Sequence, residues 1–188
     1  LKETVGSYAH LGWVTAFGWD PVLIDDLDPP TLAELDALSP DRPLFILTQM
    51  MHEAYANSAV MEAAGITRDT PDPAGGELVR DSNGNLTGVI REVNAIKMIV
   101  DAMPTPPAGI PDLLVSLQLG EYARHGITTV GVLGPVGRIE EPLESLRMLG
   151  SDRSAPVRLV VYALPNQIGP SETPSISGRF RLRGVKFW

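Results

Sequence analysis

The sequence predicts an α/β fold in which helices and strands alternate along the chain. Residues 127–133 have the length and composition of a buried strand, and residues 157–163 those of another strand. Helical patterns precede and separate these strands, at residues 113–124 and 142–149. Since parallel strands need a crossover connection that is usually a helix, the alternation predicts parallel β/α units.

Composition narrows the functional classes. The chain has 188 residues, a net charge of −8 and no cysteine. No basic run stands out, which argues against nucleic-acid binding, and no apolar run approaches the ~20 residues that cross a bilayer. We therefore expect a cytoplasmic protein that binds neither nucleic acid nor membrane. Without thiolates, any metal ion must be held by nitrogen and oxygen ligands.

The most informative stretch is residues 39–66. An apolar run predicts a buried strand that ends near Thr48, and a helix is predicted to end at Gly65. The polar residues between them include His52, at a strand-to-helix junction of the kind where α/β proteins bind ligands. His52 is either a substrate-contacting or proton-handling imidazole, or a hydrogen-bonded histidine at a helix start. Asn57 is expected to cap the helix.

Two more residues are candidates for contact with a ligand. Trp19 follows a predicted strand and is either a pocket aromatic or a packing lid. Glu92 follows a predicted β-hairpin whose tight turn is Asn83-Gly84, and it either points into a pocket or begins a helix at residues 93–103. A capping box is predicted at Thr31, with Glu34 three residues later. An amphipathic helix is predicted at residues 1–12, and several prolines between residues 104 and 111 mark a stiff linker.

Several short motifs follow one another along nearly the whole chain. In order they are Gly18-Trp19-Asp20, Ser39-Pro40-Asp41-Arg42-Pro43, His52 with Ala56-Asn57-Ser58, Thr70-Pro71-Asp72-Pro73 with Gly75-Gly76, Thr87-Gly88 with Glu92, Gly126-Ile127-Thr128-Thr129-Val130, and Gly184-Val185-Lys186. The ordered series resembles the amidohydrolase superfamily, and within it the family-3 group of YtcJ-like proteins and N-substituted formamide deformylases.

The resemblance implies an internal fragment of a longer enzyme. Residues 111–188 correspond to strands 2–4 of a metal-dependent hydrolase TIM (β/α)8 barrel, and residues 1–110 to a large α+β insertion or lid after strand 1. The implied activity is hydrolysis of C–N, amide-like bonds in a small molecule through metal-activated water, by an enzyme that could be a homo-oligomer. Lys186 matches a strand-4 lysine that can be carbamylated to bridge two metal ions; otherwise it is an ordinary strand-end lysine.

Two departures from the family qualify this reading. Relatives usually carry Asp-Gly before the histidine of the central motif, whereas Met50-Met51 stand here, which implies a more apolar pocket wall. The family's histidine ligands are also missing, because the three histidines of this chain are not paired at ligand spacing. Zn²⁺ or another divalent metal is therefore expected in the full-length parent and not in this fragment alone, for which no certain catalytic residue is assigned. The alternative is a catalytically silent α/β scaffold or small-ligand-binding module.

Overall fold

The computed structural model describes residues 12–19, 28–134, 141–169 and 173–187. It has a mixed α/β architecture with two sheets, which confirms the predicted class. The chain divides into two compact units, Leu1–Pro104 and Thr105–Trp188. Among the described helices, none has the length and apolarity needed to cross a membrane. The helix predicted at residues 1–12 falls almost entirely outside the described residues.

The described residues of the first unit form a five-stranded sheet and three helices. The elements in chain order are β1 (Val14–Trp19), α1 (Leu32–Leu38), β2 (Leu44–Thr48), β3 (Glu53–Ala56), α2 (Ser58–Ala63), β4 (Glu77–Arg80), β5 (Leu86–Arg91) and α3 (Val93–Ala102). The strand order is β1-β2-β3-β5-β4. Strands β1 and β2 are parallel, and the other neighbours are antiparallel.

Alternating side chains give this sheet a buried cluster on each face. On β2, Phe45 belongs to one cluster, with Ile90 and Ile99, whereas Leu44 and Ile46 belong to another, with Leu35 of α1. The predicted buried strand is thus confirmed, and β2 is buried on both faces of the sheet.

Local signals fixed several boundaries in this unit. The Thr31–Glu34 capping box is present, with Thr31 N donating to Glu34 Oε2 over 2.8 Å. Asn57 is the N-cap of α2, and its Oδ1 accepts from Val60 N at 3.1 Å. Gly65 follows that helix at φ 66°. Each confirms its prediction, because caps depend on short-range chemistry that the sequence displays.

The polar stretch after β2 departs from the predicted strand-to-helix junction. Strand β3 intervenes and pairs antiparallel with β2, Leu47 lying opposite Ala54. His52 therefore lies just before a strand and not at a helix start. Small Ala54 and Ala56 fit the buried face of this short strand, and long-range pairing overrides its weak β-propensity.

The second unit contains a four-stranded sheet. Its elements are α4 (Ile110–Arg124), β6 (Thr129–Leu133), α5 (Pro142–Ser151), β7 (Arg158–Ala163), a 3₁₀ turn (Pro165–Gln167), β8 (Ser175–Ser177) and β9 (Phe180–Val185). The order is β6-β7-β9-β8. Strands β6, β7 and β9 are parallel, which confirms the predicted β/α units, and β8 pairs antiparallel with β9.

Two predictions in this unit need correction. The pattern of residues 113–124 predicts an apolar side formed by Leu114, Leu117, Tyr122 and Ala123. Tyr122 and Ala123 pack against the core together with Leu119, but Leu114 and Leu117 of α4 are each 60% exposed. The apolar run at residues 184–188 predicts a strand there, but the strand begins at Phe180 and ends at Val185, so that Lys186 follows it. The strand lies earlier because Phe180 and Leu182 are its buried residues, packed beside Leu159.

Candidate functional site

The residues that the sequence predicts to contact a ligand lie at one edge of the first sheet. This edge is formed by the ends of β1, β2 and β5 and the start of β3. Trp19 at the end of β1 pairs with Thr48 at the end of β2. Glu53 at the start of β3 lies opposite Arg91 at the end of β5. The turn that carries His52 joins β2 to β3, and Glu92 directly follows β5. The antiparallel topology therefore brings residues far apart in sequence to this edge.

His52 and Glu92 are in direct contact there. The Nδ1 atom of His52 lies 2.8 Å from Glu92 Oε2. Glu92 N also donates to the carbonyl oxygen of His52 over 2.8 Å, so backbone and side chain both join the two residues. The side chains are 59% and 54% exposed, respectively, and a dissolved molecule can reach both.

The backbone is strained on both sides of this contact. Met51, which precedes His52, has φ 60°, and Glu92 has φ 68° and ψ 153°. The Glu92 conformation belongs to a region that is essentially restricted to glycine. Such conformations cost about 1–3 kcal/mol each, whereas an exposed ion pair contributes about 0–1 kcal/mol. The pair is thus too weak to account for the strain as a source of stability.

Glu92 occupies the N-cap position of α3 without acting as a side-chain cap. Its carbonyl oxygen accepts from Ala95 N and Ile96 N, as an N-cap carbonyl does. Its carboxylate, which could satisfy a free N–H group of the first turn, instead lies against His52. Of the two predicted roles, Glu92 therefore combines a backbone position at the helix start with a side chain directed to His52.

Trp19 is at the same edge but has a different environment. Its side chain packs against the cluster that contains Leu44, Ile46 and Tyr55, which favours the packing alternative. Its Nε1 atom is buried and has no hydrogen-bond partner. The structure thus joins His52 to Glu92 and leaves Trp19 outside that contact.

A row of hydrogen-bonded charged and polar side chains crosses the same strand ends. The sequence prediction does not include it. Arg91 Nε donates to Glu53 Oε2 over 3.0 Å, and Arg91 Nη1 to Glu77 Oε2 over 3.2 Å. The Tyr55 hydroxyl donates to Glu53 Oε1 over 2.5 Å. Hydrogen bonds to Glu53 and Glu77 raise the pKa of Arg91, and burial, with the Glu53 contact, raises the pKa of Tyr55. Cross-strand register, which local sequence does not reveal, is what aligns these residues.

A depression in the surface of the first unit lies apart from this edge. It has a volume of about 400 Å³ and is lined by residues that include Pro30, Leu32, Asp81, Leu86 and Thr87. Asp81 there is already engaged, since it accepts from Asn83 N and Asn85 N in the hairpin turn. The depression includes none of the predicted site residues.

Lys186 follows β9 in the second unit. Its backbone N donates to Ala163 O over 2.8 Å, so it lies where the parallel strands β7 and β9 reach their carboxyl ends. That edge is where parallel α/β folds bind ligands. However, the described part of the chain contains no group of three or more His, Cys, Asp or Glu side chains that could hold a metal ion. The described residues therefore do not build a metal site by themselves.

Comparison with known proteins places this geometry in a family. A model described as "Amidohydrolase family" matches residues 1–188. The YtcJ protein of Bacillus subtilis (strain 168) is 40% identical over 127 residues, which are 68% of this chain and 24% of that protein. The N-substituted formamide deformylase of Arthrobacter pascens is 37% identical over 83 residues, which are 44% of this chain and 15% of that enzyme.

Solved structures share the fold. An uncharacterized metal-dependent hydrolase from Pyrococcus horikoshii superposes on this chain with a TM-score of 0.56 and 20% sequence identity. The superposition covers 93% of this chain and 33% of the hydrolase chain. A metal-dependent hydrolase from Pyrococcus furiosus gives 0.55 and 19%, covering 98% and 37%. The chain spans about a quarter or less of the curated relatives named here and about a third of the solved structures. On the match over its whole length, the chain belongs to the amidohydrolase family.

Proposed function

We propose that the chain is a segment of a metal-dependent amidohydrolase that hydrolyses C–N, amide-like bonds in a small molecule. The observation that carries the proposal is the second sheet, where β6, β7 and β9 run parallel in chain order and Lys186 follows the last of them. Leu159 and Val161 face the core that the helices cover, whereas Leu133 is 60% and Tyr162 is 36% exposed. This arrangement fits strands 2–4 of a (β/α)8 barrel, whose inner face is filled only when the barrel closes.

A divalent metal ion, such as Zn²⁺, would supply an activated water molecule in the full-length parent. The described residues do not fit such a site alone, since a catalytic zinc needs three protein ligands. The missing ligands would come from parts of the parent outside this chain. In the parent, Lys186 would help to hold the metal as a carbamylated lysine, and we assign no metal ligand in the segment alone.

In this proposal the first unit belongs to the insertion at residues 1–110 and contributes contacts to the substrate. His52 and Glu92 are exposed and paired, and the backbone is strained at Glu92 and at Met51 beside His52, which favours a role in binding over one in packing. Trp19 stays a candidate for substrate binding because of its place at the end of β1, at the same edge as His52 and Glu92. The similarity to the N-substituted formamide deformylase of Arthrobacter pascens supports an amide-like substrate. The cytoplasmic location and the homo-oligomer stay predictions.

The experiment is replacement of Lys186 in the full-length protein. Lys186→Ala should lower bound metal and reduce hydrolysis of an amide substrate by about 100-fold or more, since even supporting groups of metal sites are worth 10–100-fold. Lys97→Ala is the control, because that lysine pairs only with Asp101 on the exposed side of α3. Unchanged metal content and activity in Lys186→Ala would contradict the assignment. A parent reading frame without a strand-ending His-x-His upstream would contradict the hydrolase itself.

A second function, a catalytically silent scaffold or small-ligand-binding module, is favoured by the lack of a three-ligand metal group among the described residues. In that function the strand ends that carry His52 and Glu92 bind a small molecule without converting it. Stoichiometric zinc binding and turnover by the 188-residue chain alone would rule it out.

A further inference from the structure

The backbone at Glu92 has a cost that neither helix capping nor packing explains. Its φ of 68° and ψ of 153° suit glycine, and its carboxylate does not cap α3. Met51, at φ 60°, adds a second strained residue next to the same contact. One member of the exposed histidine–carboxylate pair and the residue that precedes the other member are therefore both strained. Strain of this kind concentrates where a side chain must be held for function.

The contact determines which nitrogen of His52 carries the proton. Glu92 Oε2 is an acceptor when ionised, so Nδ1, at 2.8 Å, must donate. A neutral imidazole has one N–H, and Nε2 is then left with its lone pair. The 59% exposure of the His52 side chain makes this ring accessible from solvent.

We propose that Glu92 is a positioning residue that holds neutral His52 as the Nδ1–H tautomer, so that Nε2 accepts a hydrogen bond from an N–H or O–H group of a bound small molecule. The ligand half of this proposal rests on the proposed function, because it takes the strand edge as a binding site. The tautomer half does not, since it follows from the contact alone. A carboxylate that orients a histidine in this way selects ligands with a donor over matched ligands without one.

The test uses the full-length protein labelled with ¹⁵N-histidine, with His52→Gln to assign the signal. In the wild type, the Nδ1 shift of His52 should be that of a protonated nitrogen and the Nε2 shift that of an unprotonated one. Glu92→Gly should lose this preference while the melting temperature stays equal or rises, because glycine accepts the backbone angles. Met51→Gly is the matched control, which relieves strain nearby and should leave the tautomer unchanged.

The ligand half is tested with two neutral probes. N-methylacetamide, which has one N–H, should shift the Nε2 signal of the wild type at millimolar concentration, whereas N,N-dimethylacetamide, which has none, should not. Glu92→Gly should weaken the response to N-methylacetamide about tenfold, the loss of about one hydrogen bond. An unchanged tautomer in Glu92→Gly, or equal responses to both probes, would overturn the proposal. If the tautomer responds as expected and the protein hydrolyses no amide, the proposed function fails and the positioning role stands.

Discussion

At the scale of single residues, Asn57 shows how one amide joins a loop to a helix. It is fully buried, and its side chain uses every hydrogen-bonding position it has. Nδ2 donates to Ser39 O and Arg42 O, each over 2.8 Å, and Oδ1 accepts from Leu44 N at 2.9 Å as well as from Val60 N. The motif residue beside His52 is therefore structural, and it fixes the start of β2 against the start of α2.

Replacing Asn57 should be severely destabilising. Asn57→Ala leaves two N–H and two C=O groups without that partner in a buried place, and we expect a loss of about 3–5 kcal/mol in the free energy of unfolding. Asn94→Ala is the control: this exposed asparagine makes one hydrogen bond, to Ala74 O, and its loss should cost less than about 1 kcal/mol. Urea denaturation of both variants gives the comparison. Equal losses would show that the Asn57 network does not carry the fold.

The sequence identified single residues of the site better than their relations. His52 and Glu92 could be selected because a histidine and a carboxylate stood beside predicted strand ends. Their contact could not be foreseen, since 40 residues separate them and the register of β3 against β5 brings them together. Met51 shows a related point: the family resemblance implies glycine at this position, and the positive φ of Met51 is a conformation that glycine accepts.

At the scale of elements, local chemistry and long-range pairing divided the predictions. Caps, the Asn83-Gly84 turn and the strands β2, β6 and β7 were predictable because their signals lie within a few residues. The predicted burial of β6 is wrong, since its residues are exposed or half-buried. Strands β3 and β8 were not predictable, since they are only 4 and 3 residues long and exist through pairing with β2, β5 and β9. The prediction of the buried side of α4 was wrong in part, for a similar reason. The apolar residues of α4 lie all around the helix, so periodicity alone did not select the buried side.

Substitution of Gly88 tests how closely β5 packs against β3 and α1. It lies in β5 at φ 86°, and an added Cβ would approach Ala56 O of β3 to 2.7 Å and Leu32 Cδ1 of α1 to 3.2 Å. Gly88→Ala should therefore cost about 3 kcal/mol or more, from the left-handed backbone and the backbone clash together.

Gly120→Ala is the control for that variant. Gly120 lies inside α4, and a Cβ there would meet nothing within 4 Å. Alanine should stabilise this helix by about 0.5–1 kcal/mol, so the two glycine variants should shift the melting temperature in opposite directions. A Gly88→Ala variant that melts like the wild type would mean that β3 and β5 do not pack as described.

At the scale of the whole molecule, the second unit exposes apolar surface that a finished domain would cover. Three leucines of α4 are exposed, Leu113 by 52% and Leu114 and Leu117 by 60% each, and Leu133 of β6 is 60% exposed. Contiguous apolar patches of this kind mark interaction surfaces or missing partners. Strand β6 also lies at the edge of its sheet, where unpaired backbone groups can template further pairing.

The 188-residue chain, produced by itself, should therefore self-associate. In a closed barrel both the sheet edge and the inner face are covered, and three parallel strands cannot provide that closure. Size-exclusion chromatography with light scattering should find species larger than the 20.2 kDa monomer. Combined Leu114→Glu and Leu117→Glu should reduce this association by adding charge to the exposed helix face, whereas Lys97→Ala in the first unit should leave it unchanged. A monodisperse monomer that melts cooperatively would show that these surfaces need no partner, and the partial-barrel assignment would then be wrong.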